Sequence, residues 1–427
     1  MDVFSGSREQ LYVSIGGFVT WSVLATAFLC STSKSKEKTR ESNMEATFNV
    51  VNMYVGVGLW SLPYSLWVGG VVALPMLFII NGLCWMSASE LVRLQRNIGP
   101  SLSAFGGGEV GSYLSLVKST FGRIGMVLAS IVLTGEFYGT AIILLLTLWD
   151  IVSRTLKIDF WVAAAITSLM IFPFLLKSQW HFLAYINGFA LLVTMATIGC
   201  AVSLVDPSSW MRLGGPFKNE DQLYPSYSNL ILCVGLQMVA LGSGTPAVAS
   251  IYLEAEEQTE FEKRVLRPSF CLVAVFVLVM AAAGFAAYGD ETKVLVTDNL
   301  LDEPDFGLAI ATLIAAATFA TIPPFVSVTT ELLIASWSKE TPSEMRELWI
   351  RLCVFGAIIS GSVLLYDHLN AVLEVTGLVC MSITAIVLPL SMSLVNFWAA
   401  DGLLKKALNL FVISCTLALV TLYFVLL

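Results

Sequence analysis

Glu136 is the residue of this sequence most able to carry out proton chemistry. It lies in the apolar segment Ile131–Tyr138, about 11 residues into a membrane span, which at 1.5 Å per residue is roughly 16 Å deep. An ionised carboxylate near the middle of a bilayer costs on the order of 3 kcal/mol or more. The side chain must therefore pair with a cation or a solute amine, or bind a proton. The alternative is a neutral Glu hydrogen-bonded to a neighbouring helix. We assign Glu136 to ion coupling and place Tyr138 among the substrate-binding candidates.

A first hydrophobic segment is interrupted around Gly56 and Gly58. Glycine tolerates unwound backbone and lets a ligand approach closely. If the following half-helix begins near Leu59, its free N–H groups and positive dipole end would face a cavity, where a carboxylate is the natural guest. The alternative is that small residues only allow close helix packing. The substrate-binding candidates are Gly56, Val57, Gly58 and Asn52, the last of which could instead be a structural hydrogen-bonding residue.

A second segment is interrupted between Gly242 and Pro246. Thr245 before a proline predicts an N-cap and a first-turn proline, which would start a new half-helix. Gly242 and Gly244 would end the previous half. The interruption would then present backbone carbonyls and N–H groups in the middle of the membrane, although a simple proline kink is the alternative. Gly242, Ser243, Gly244 and Thr245 are the substrate-binding candidates here.

Two threonines of a later segment, Thr318 and Thr321, are three residues apart and share a helix face. Their hydroxyl groups could coordinate a cation against the first interruption, so we assign both to ion coupling. A hydrogen bond back to the carbonyl four residues earlier is the commoner fate of such residues.

These residues must be positioned by membrane helices. Of 427 residues, 57% are hydrophobic and 13% are charged, with a mean hydropathy of +0.80, a balance that excludes a soluble protein of this size. Apolar stretches of about 20 residues recur along the chain. They predict an all-α polytopic membrane protein with twelve spans, at approximately 11–30, 46–68, 71–92, 125–149, 160–176, 183–204, 227–253, 268–288, 306–333, 349–366, 371–395 and 407–427.

The arrangement of the spans predicts an extra N-terminal helix followed by an inverted repeat. If the basic stretch 31–45 is cytosolic, most Lys and Arg residues fall on the cytosolic side, as membrane topology requires. Cleavage of 11–30 as a signal peptide would reverse this pattern, so we favour a retained helix. Residues 1–45 are then the extra helix and basic linker, and 46–427 the transport domain. Its first ten spans divide five plus five, each half beginning with an interrupted helix, which is a pointer to a transporter's substrate site.

Other classes of function have little support. The eight cysteines show no CxxC spacing, so we expect neither a disulfide framework nor a metal site. No segment carries a catalytic constellation, and we expect no enzyme activity and no cofactor. No basic patch is interleaved with aromatic residues, which argues against a nucleic-acid partner. The expected partners are an amino-acid substrate and the lipid bilayer, and we infer no obligate protein partner.

The order and spacing of several motifs resemble the amino acid/auxin permease family over approximately residues 45–425. The motifs are Asn49-x2-Asn52-x3-Gly56-x-Gly58-x4-Pro63-Tyr64, Tyr113-x7-Phe121-Gly122, Phe172-Pro173, Leu183-Ala-Tyr185, Ser243-Gly-Thr-Pro-Ala-Val-Ala-Ser-Ile-Tyr252 with Phe261-x-Lys263-x-Val265-Leu266, and Gly284-x3-Tyr288-Gly289-Asp290 with Asn299-Leu300. The resemblance implies a LeuT-like fold with eleven core helices and secondary active transport of amino acids, usually driven by H+ rather than Na+. Thr245, where many members have His, and Ala249, where they often have Pro, are departures, as is the extra first helix.

The main hypothesis is therefore a proton-coupled amino-acid transporter that works by alternating access around its two interrupted helices. The alternative is a membrane-embedded amino-acid sensor that signals through a partner without net flux. The sequence leaves open a vacuolar or endomembrane location and a location in the plasma membrane.

Overall fold

The computed structural model describes residues 42–55, 57–99, 111–175, 183–205, 225–303, 307–337 and 344–426. The predicted extra helix at 11–30, most of the basic linker, and Gly56 lie outside these residues. The α-helices of the described residues are α1 Asn43–Tyr54, α2 Leu62–Asn97, α3 Gly111–Leu156, α4 Phe160–Leu175, α5 Leu183–Ser203, α6 Tyr227–Leu241, α7 Thr245–Glu254, α8 Arg267–Tyr288, α9 Val296–Leu300, α10 Gly307–Trp337, α11 Glu344–Leu364, α12 Leu369–Glu374, α13 Leu388–Phe397 and α14 Leu403–Leu426. Single 3₁₀ turns occur at Val57–Ser61, Gly289–Glu291 and Tyr366–His368, and π-helical turns at Glu262–Leu266, Val375–Met381 and Ile383–Val387.

The chain is an integral, multi-pass membrane protein. Within the described residues, 8 helical stretches are long and apolar enough to cross a membrane, and α4 and part of α5 are shorter apolar helices. Each of the eleven predicted core spans coincides with one of these helices or pairs of helices.

Two glycines with positive φ divide the longest helical stretches. Gly70 (φ 54, ψ −140) separates the end of the first core span from the second within α2. Gly122 (φ 69, ψ −166) separates an N-terminal helical arm of α3 from the third core span. Residues other than glycine rarely adopt this backbone conformation. The two glycines therefore allow the chain to change direction without a longer loop.

The second interrupted segment, α6 with α7, lies innermost in the bundle. In its most apolar stretch 89% of the residues are buried inside the protein, compared with 28% for α14. α6 packs against α2, against the 3₁₀ turn of the first interruption and against the π-helical part of the tenth core span, and α3 packs most extensively against α10. The residues singled out for chemistry are therefore carried by the most enclosed helices of the bundle.

Local sequence explains where both interrupted segments begin. Ser42 accepts a hydrogen bond from the backbone N–H of Glu45, whose side chain accepts from the Ser42 N–H, which is a capping box at the start of α1. Ser226 caps α6 through the backbone N–H of Asn229.

Two elements were not predicted from the sequence. The tenth core span is not a uniform α-helix: the π-helical turns Val375–Met381 and Ile383–Val387 lie between α12 and α13. The acidic loop after the seventh core span contains the short helix α9.

Candidate functional site

The first interruption is a true break in the helix. α1 ends at Tyr54, and Val55 adopts a non-helical conformation (φ −97, ψ 62). The predicted restart near Leu59 is confirmed, because helical structure resumes there as a 3₁₀ turn, Val57–Ser61, which continues into α2 at Leu62. The Ser61 hydroxyl donates to the Gly58 carbonyl (2.8 Å) and thereby stabilises this tight turn.

The second interruption lies at Gly242–Gly244, between α6 and α7. The prediction that Thr245 is the N-cap of the new half-helix is wrong by one residue, since Gly244 occupies that position and makes no side-chain cap. The physical reason is that the Thr245 hydroxyl lies 2.9 Å from the Tyr54 hydroxyl, with which it forms a buried hydrogen bond. Pro246 lies in the first helical turn, as predicted.

The two interruptions contact each other directly. The Ser243 hydroxyl donates to the carbonyl of Met53 (2.9 Å), one residue before the end of α1. A methyl group at Gly58 would collide with the backbone of Val239 and Ala240, and one at Gly244 would lie 2.7 Å from the Tyr54 ring. Glycine is therefore required by close approach at both positions. The interrupted helices cross at their breaks, deep inside the bundle.

We expect Tyr54→Phe to destabilise this crossing. Thr245 is 0% exposed, so its hydroxyl would lose its partner without gaining water, at a cost of about 1–3 kcal/mol. Thermal unfolding in detergent should show a lower midpoint for Tyr54→Phe, while Tyr227→Phe, at a position that is 78% exposed, should leave it unchanged. Adding Thr245→Val to Tyr54→Phe should recover part of the loss, because replacing both partners by apolar groups is nearly neutral. An unchanged midpoint in the single variant would contradict the structural importance of this hydrogen bond.

The remaining candidates at the first interruption lie beside it. Asn52 is half-buried in the last turn of α1, and Val57 begins the 3₁₀ turn. Their roles in substrate binding, and that of Gly56, stay predictions.

Glu136 is buried against the tenth core span. Its side chain is 1% exposed, and its Oε2 lies 2.5 Å from the Thr384 hydroxyl oxygen. Its Oε1 is buried and has no hydrogen-bond partner among the described residues. The Tyr113 hydroxyl donates to the Thr384 backbone carbonyl (2.7 Å). Hydrogen bonds thus link Glu136 to Thr384 and Thr384 to Tyr113, and we call these three residues the Glu136 cluster.

Tyr138 contacts the ninth core span. Its hydroxyl donates to the carbonyl of Ala357 in α11, the ninth core span (2.8 Å), and Gly361 lies against the same hydroxyl. Tyr138 therefore helps to join α3 to α11, and its contact with substrate stays a prediction.

The hydroxyl groups of Thr318 and Thr321 in α10 differ in their hydrogen bonding. The Thr321 hydroxyl donates to the Ala317 carbonyl (2.7 Å), four residues earlier in the same helix. The Thr318 hydroxyl is buried and has no partner within the described part of the chain. Of the pair, Thr318 is thus better able to coordinate an ion, and neither threonine is hydrogen-bonded to the described residues of the first interruption.

Sequence reasoning missed three residues of these sites. Tyr54 precedes the glycine pair, and Thr384 is a hydroxyl residue within an apolar span, so a search for polar groups inside spans would have found both. Tyr113 belongs to a motif of the resemblance, but nothing in the sequence pairs it with Thr384, because the two residues are 271 positions apart.

A second group of carboxyl residues lies at the end of the bundle that the charge pattern predicts to be non-cytosolic. Asp298 on α9 is half-buried and lies near Asp150, which is close to the end of α3. Arg154 donates to Asp150 (3.0 Å). Burial, together with the neighbouring Asp150, raises the pKa of the Asp298 carboxyl to about 6, although Arg154 and Lys293 act in the opposite direction.

We expect the short helix α9 to be held less firmly in its docked position as the pH rises. A folded-state pKa above the ordinary value of 3.8 means that the docked loop binds the Asp298 proton more tightly than the free loop does. The stabilisation is fully present below that ordinary value and is lost as the pH rises through about 6. Amide hydrogen exchange in 293–303, corrected for intrinsic rates, should show more protection at pH 5 than at pH 7.5. In Asp298→Asn this difference should vanish. Equal protection at both pH values in the unmodified protein would contradict the prediction.

Comparisons with known proteins agree with this architecture. A family model described as "Transmembrane amino acid transporter protein" matches residues 39–427. Amino acid transporter AVT1B of Arabidopsis thaliana is 25% identical over 269 residues, which are 60% of this chain and 46% of that protein. The chain spans about half the length of the first curated relatives it matches.

Two solved structures share the fold. A Na+-coupled sialic acid symporter, in a substrate-bound outward-open state, aligns with a TM-score of 0.59 and 14% identity over 88% of this chain and 86% of that chain. MhsT in complex with L-phenylalanine aligns with a TM-score of 0.55 and 12% identity over 91% and 99% of the two chains. At such identities the likeness concerns the fold alone, and it confirms the predicted LeuT-like arrangement.

Proposed function

Because the chain belongs to the family of transmembrane amino acid transporter proteins, whose model matches residues 39–427, we propose that it is a secondary active transporter of amino acids. The observation that carries this proposal is the direct contact between two interrupted helices inside the bundle. Such breaks expose backbone polar groups that hydrocarbon cannot satisfy, and they are tolerated where they are buried in protein or line a cavity. The relative AVT1B bears the name of an amino acid transporter, which supports the same substrate class.

The substrate binds where the two interruptions meet. Its carboxylate lies against the N–H groups at the start of the 3₁₀ turn and of α2, which are the positive ends of their helices. Its side chain lies along Ser243–Thr245, whose hydroxyl groups face the end of α1. An amino acid loaded there would replace part of the hydrogen bonding that now joins the two breaks.

Proton coupling is assigned to Glu136. One of its oxygens is buried without a donor among the described residues, and no Lys, Arg or His of that part of the chain forms an ion pair with it. An ionised carboxylate with a single donor is far more costly to bury than the neutral acid. The site therefore favours H+ over a metal cation as the ion bound at Glu136, and Thr318 is the remaining candidate for Na+.

Transport proceeds by alternating access. The two five-helix halves of a LeuT-like fold can rock against each other around a fixed central site, and binding of amino acid and proton shifts the balance between the two packings.

Reconstitution of the purified chain in liposomes tests the proposal. A panel of radiolabelled amino acids is offered at two pH values, with and without an inward proton gradient, and protein-free liposomes are the control. We expect at least one amino acid to accumulate and the gradient to increase its accumulation. Saturable binding of an amino acid without flux in either direction would overturn the proposal in favour of a sensor.

A further inference from the structure

Thr384 has one hydroxyl proton but three acceptors within reach. Its Oγ1 lies 2.5 Å from Glu136 Oε2, 3.1 Å from the Cys380 carbonyl and 3.3 Å from the Met381 carbonyl. All of these groups are inside the bundle, and Thr384 is 0% exposed. The hydroxyl cannot donate to the carboxylate and to its own segment at the same time.

The protonation state of Glu136 determines which acceptor the Thr384 hydroxyl donates to. When Glu136 is ionised it can only accept, so the Thr384 hydroxyl must donate to it. When Glu136 gains a proton from water, its O–H donates to the Thr384 oxygen, and the Thr384 proton becomes available to the carbonyl of Cys380 or Met381. One proton is bound, no covalent bond within the protein breaks, and the direction of one hydrogen bond reverses.

The carbonyls that would accept the hydrogen bond from Thr384 belong to an unusual part of the helix. Cys380 and Met381 end the π-helical turn Val375–Met381, and Thr384 lies in the next one, Ile383–Val387. Turns of this kind are rare, occur mostly as single turns within α-helices, and are frequent at functional sites. When Glu136 is protonated, the Thr384 hydroxyl becomes a new hydrogen-bond donor to the carbonyls of this stretch. It can therefore change the balance between alternative helical conformations of the tenth core span.

The same stretch contacts the second interrupted helix. A methyl group at Gly242 would lie 3.0 Å from Met381 Cβ, and Gly377 packs against the backbone of Gly235 in α6. On the other side, Gly135 approaches Cys380, and Gly139 approaches Thr376. The π-helical part of the tenth core span thus lies between the helix that carries Glu136 and the helix that is interrupted at Gly242.

We propose that Thr384 is the positioning residue that converts protonation of Glu136 into a change in the hydrogen bonding of the tenth core span, which transmits it to the break at Gly242. Tyr113 assists by donating to the Thr384 backbone carbonyl (2.7 Å), which fixes the segment at this residue. The titratable groups that face Glu136 are Tyr113 from its own helix and Cys380 from the tenth span; in the described part of α7, α10 and α13, no charged group is paired with it. This inference rests on the proposed function.

The test separates proton coupling from transport itself. Thr384→Val removes the hydroxyl at nearly constant volume, and Thr384→Ser retains it. Exchange of labelled for unlabelled amino acid at equal pH on both sides needs no net proton movement, so it reports on the substrate site. Uptake driven by a proton gradient, measured across pH 5 to 8, reports on coupling. Thr416→Val, which removes a hydroxyl bonded only within α14, is the matched control.

We expect Thr384→Val to retain exchange within about twofold while its pH for half-maximal uptake moves upward by about one unit, because the ionised carboxylate loses a charge-assisted donor. Thr384→Ser and Thr416→Val should follow the unmodified protein. If Thr384→Val does not fold, Tyr113→Phe should show a shift in the same direction. A profile for Thr384→Val, or for Tyr113→Phe in its place, that superimposes on the unmodified one would overturn the role of Thr384. Absence of exchange in the unmodified protein would instead contradict the proposed function.

Discussion

Replacing Gly58 with alanine is expected to abolish amino-acid transport. The added methyl group would overlap the main chain of Val239 and Ala240. A flexible side chain could move aside, but the backbone of a buried helix cannot. The loss of folding free energy should therefore reach or exceed the upper end of the range of about 1–3 kcal/mol that is typical of overpacking. The two interrupted helices would be pushed apart at the place where we put the substrate.

Gly82→Ala provides the matched control for this prediction. Gly82 is an exposed glycine of α2 with no atom within 4 Å of an added methyl group. Alanine there should leave the thermal midpoint and the uptake rate unchanged, or raise stability slightly through its higher helix propensity. Normal uptake by Gly58→Ala, per mole of monodisperse protein, would contradict the close crossing of the two helices.

The second large effect is expected for Glu136→Gln. Glutamine keeps the size of the side chain and can still hydrogen-bond to Thr384, but it cannot bind or release a proton. Uptake driven by a proton gradient should therefore fall to the level measured without a gradient. Exchange at equal pH should persist, because it needs no change in protonation. Both quantities are measured in liposomes with the same labelled amino acid.

Glu374→Gln is the corresponding control. Glu374 is also an acidic residue of a membrane span, but it is half-buried at the end of α12, away from the Glu136 cluster. Its replacement should leave accumulation driven by the gradient in place. If Glu136→Gln also accumulates amino acid normally under a proton gradient, Glu136 has no part in coupling.

The sequence was sufficient to predict the positions of the eleven core spans and of both interruptions. Apolar length determines what can cross a bilayer, and the glycine pairs around Gly56 and Gly242 are local signals of unwound backbone. The burial of Glu136 also followed from its depth in a span. The family resemblance predicted the LeuT-like fold, which neither composition nor spacing specifies alone.

What the sequence could not predict depends on distant partners. Thr245 was expected to cap α7. Nothing in the local sequence shows that its hydroxyl is instead hydrogen-bonded to Tyr54, which lies 191 positions earlier. For Glu136 the sequence left open a proton, a cation, a solute amine or a hydrogen bond to a neighbouring helix, and it could not identify the neighbour, Thr384, which is 248 positions away. The π-helical turns of the tenth span have no local signal that we recognise.

The central claim is that an amino acid binds where the two interrupted helices meet. Cryo-electron microscopy of the purified protein tests this claim most directly. The structure with the best-transported amino acid bound is compared with the structure of the protein alone. We predict additional density bounded by 55–61 on one side and 242–246 on the other, with its carboxylate toward the start of α2. Density for the amino acid at any other position, with the two breaks still hydrogen-bonded only to each other, would contradict the account.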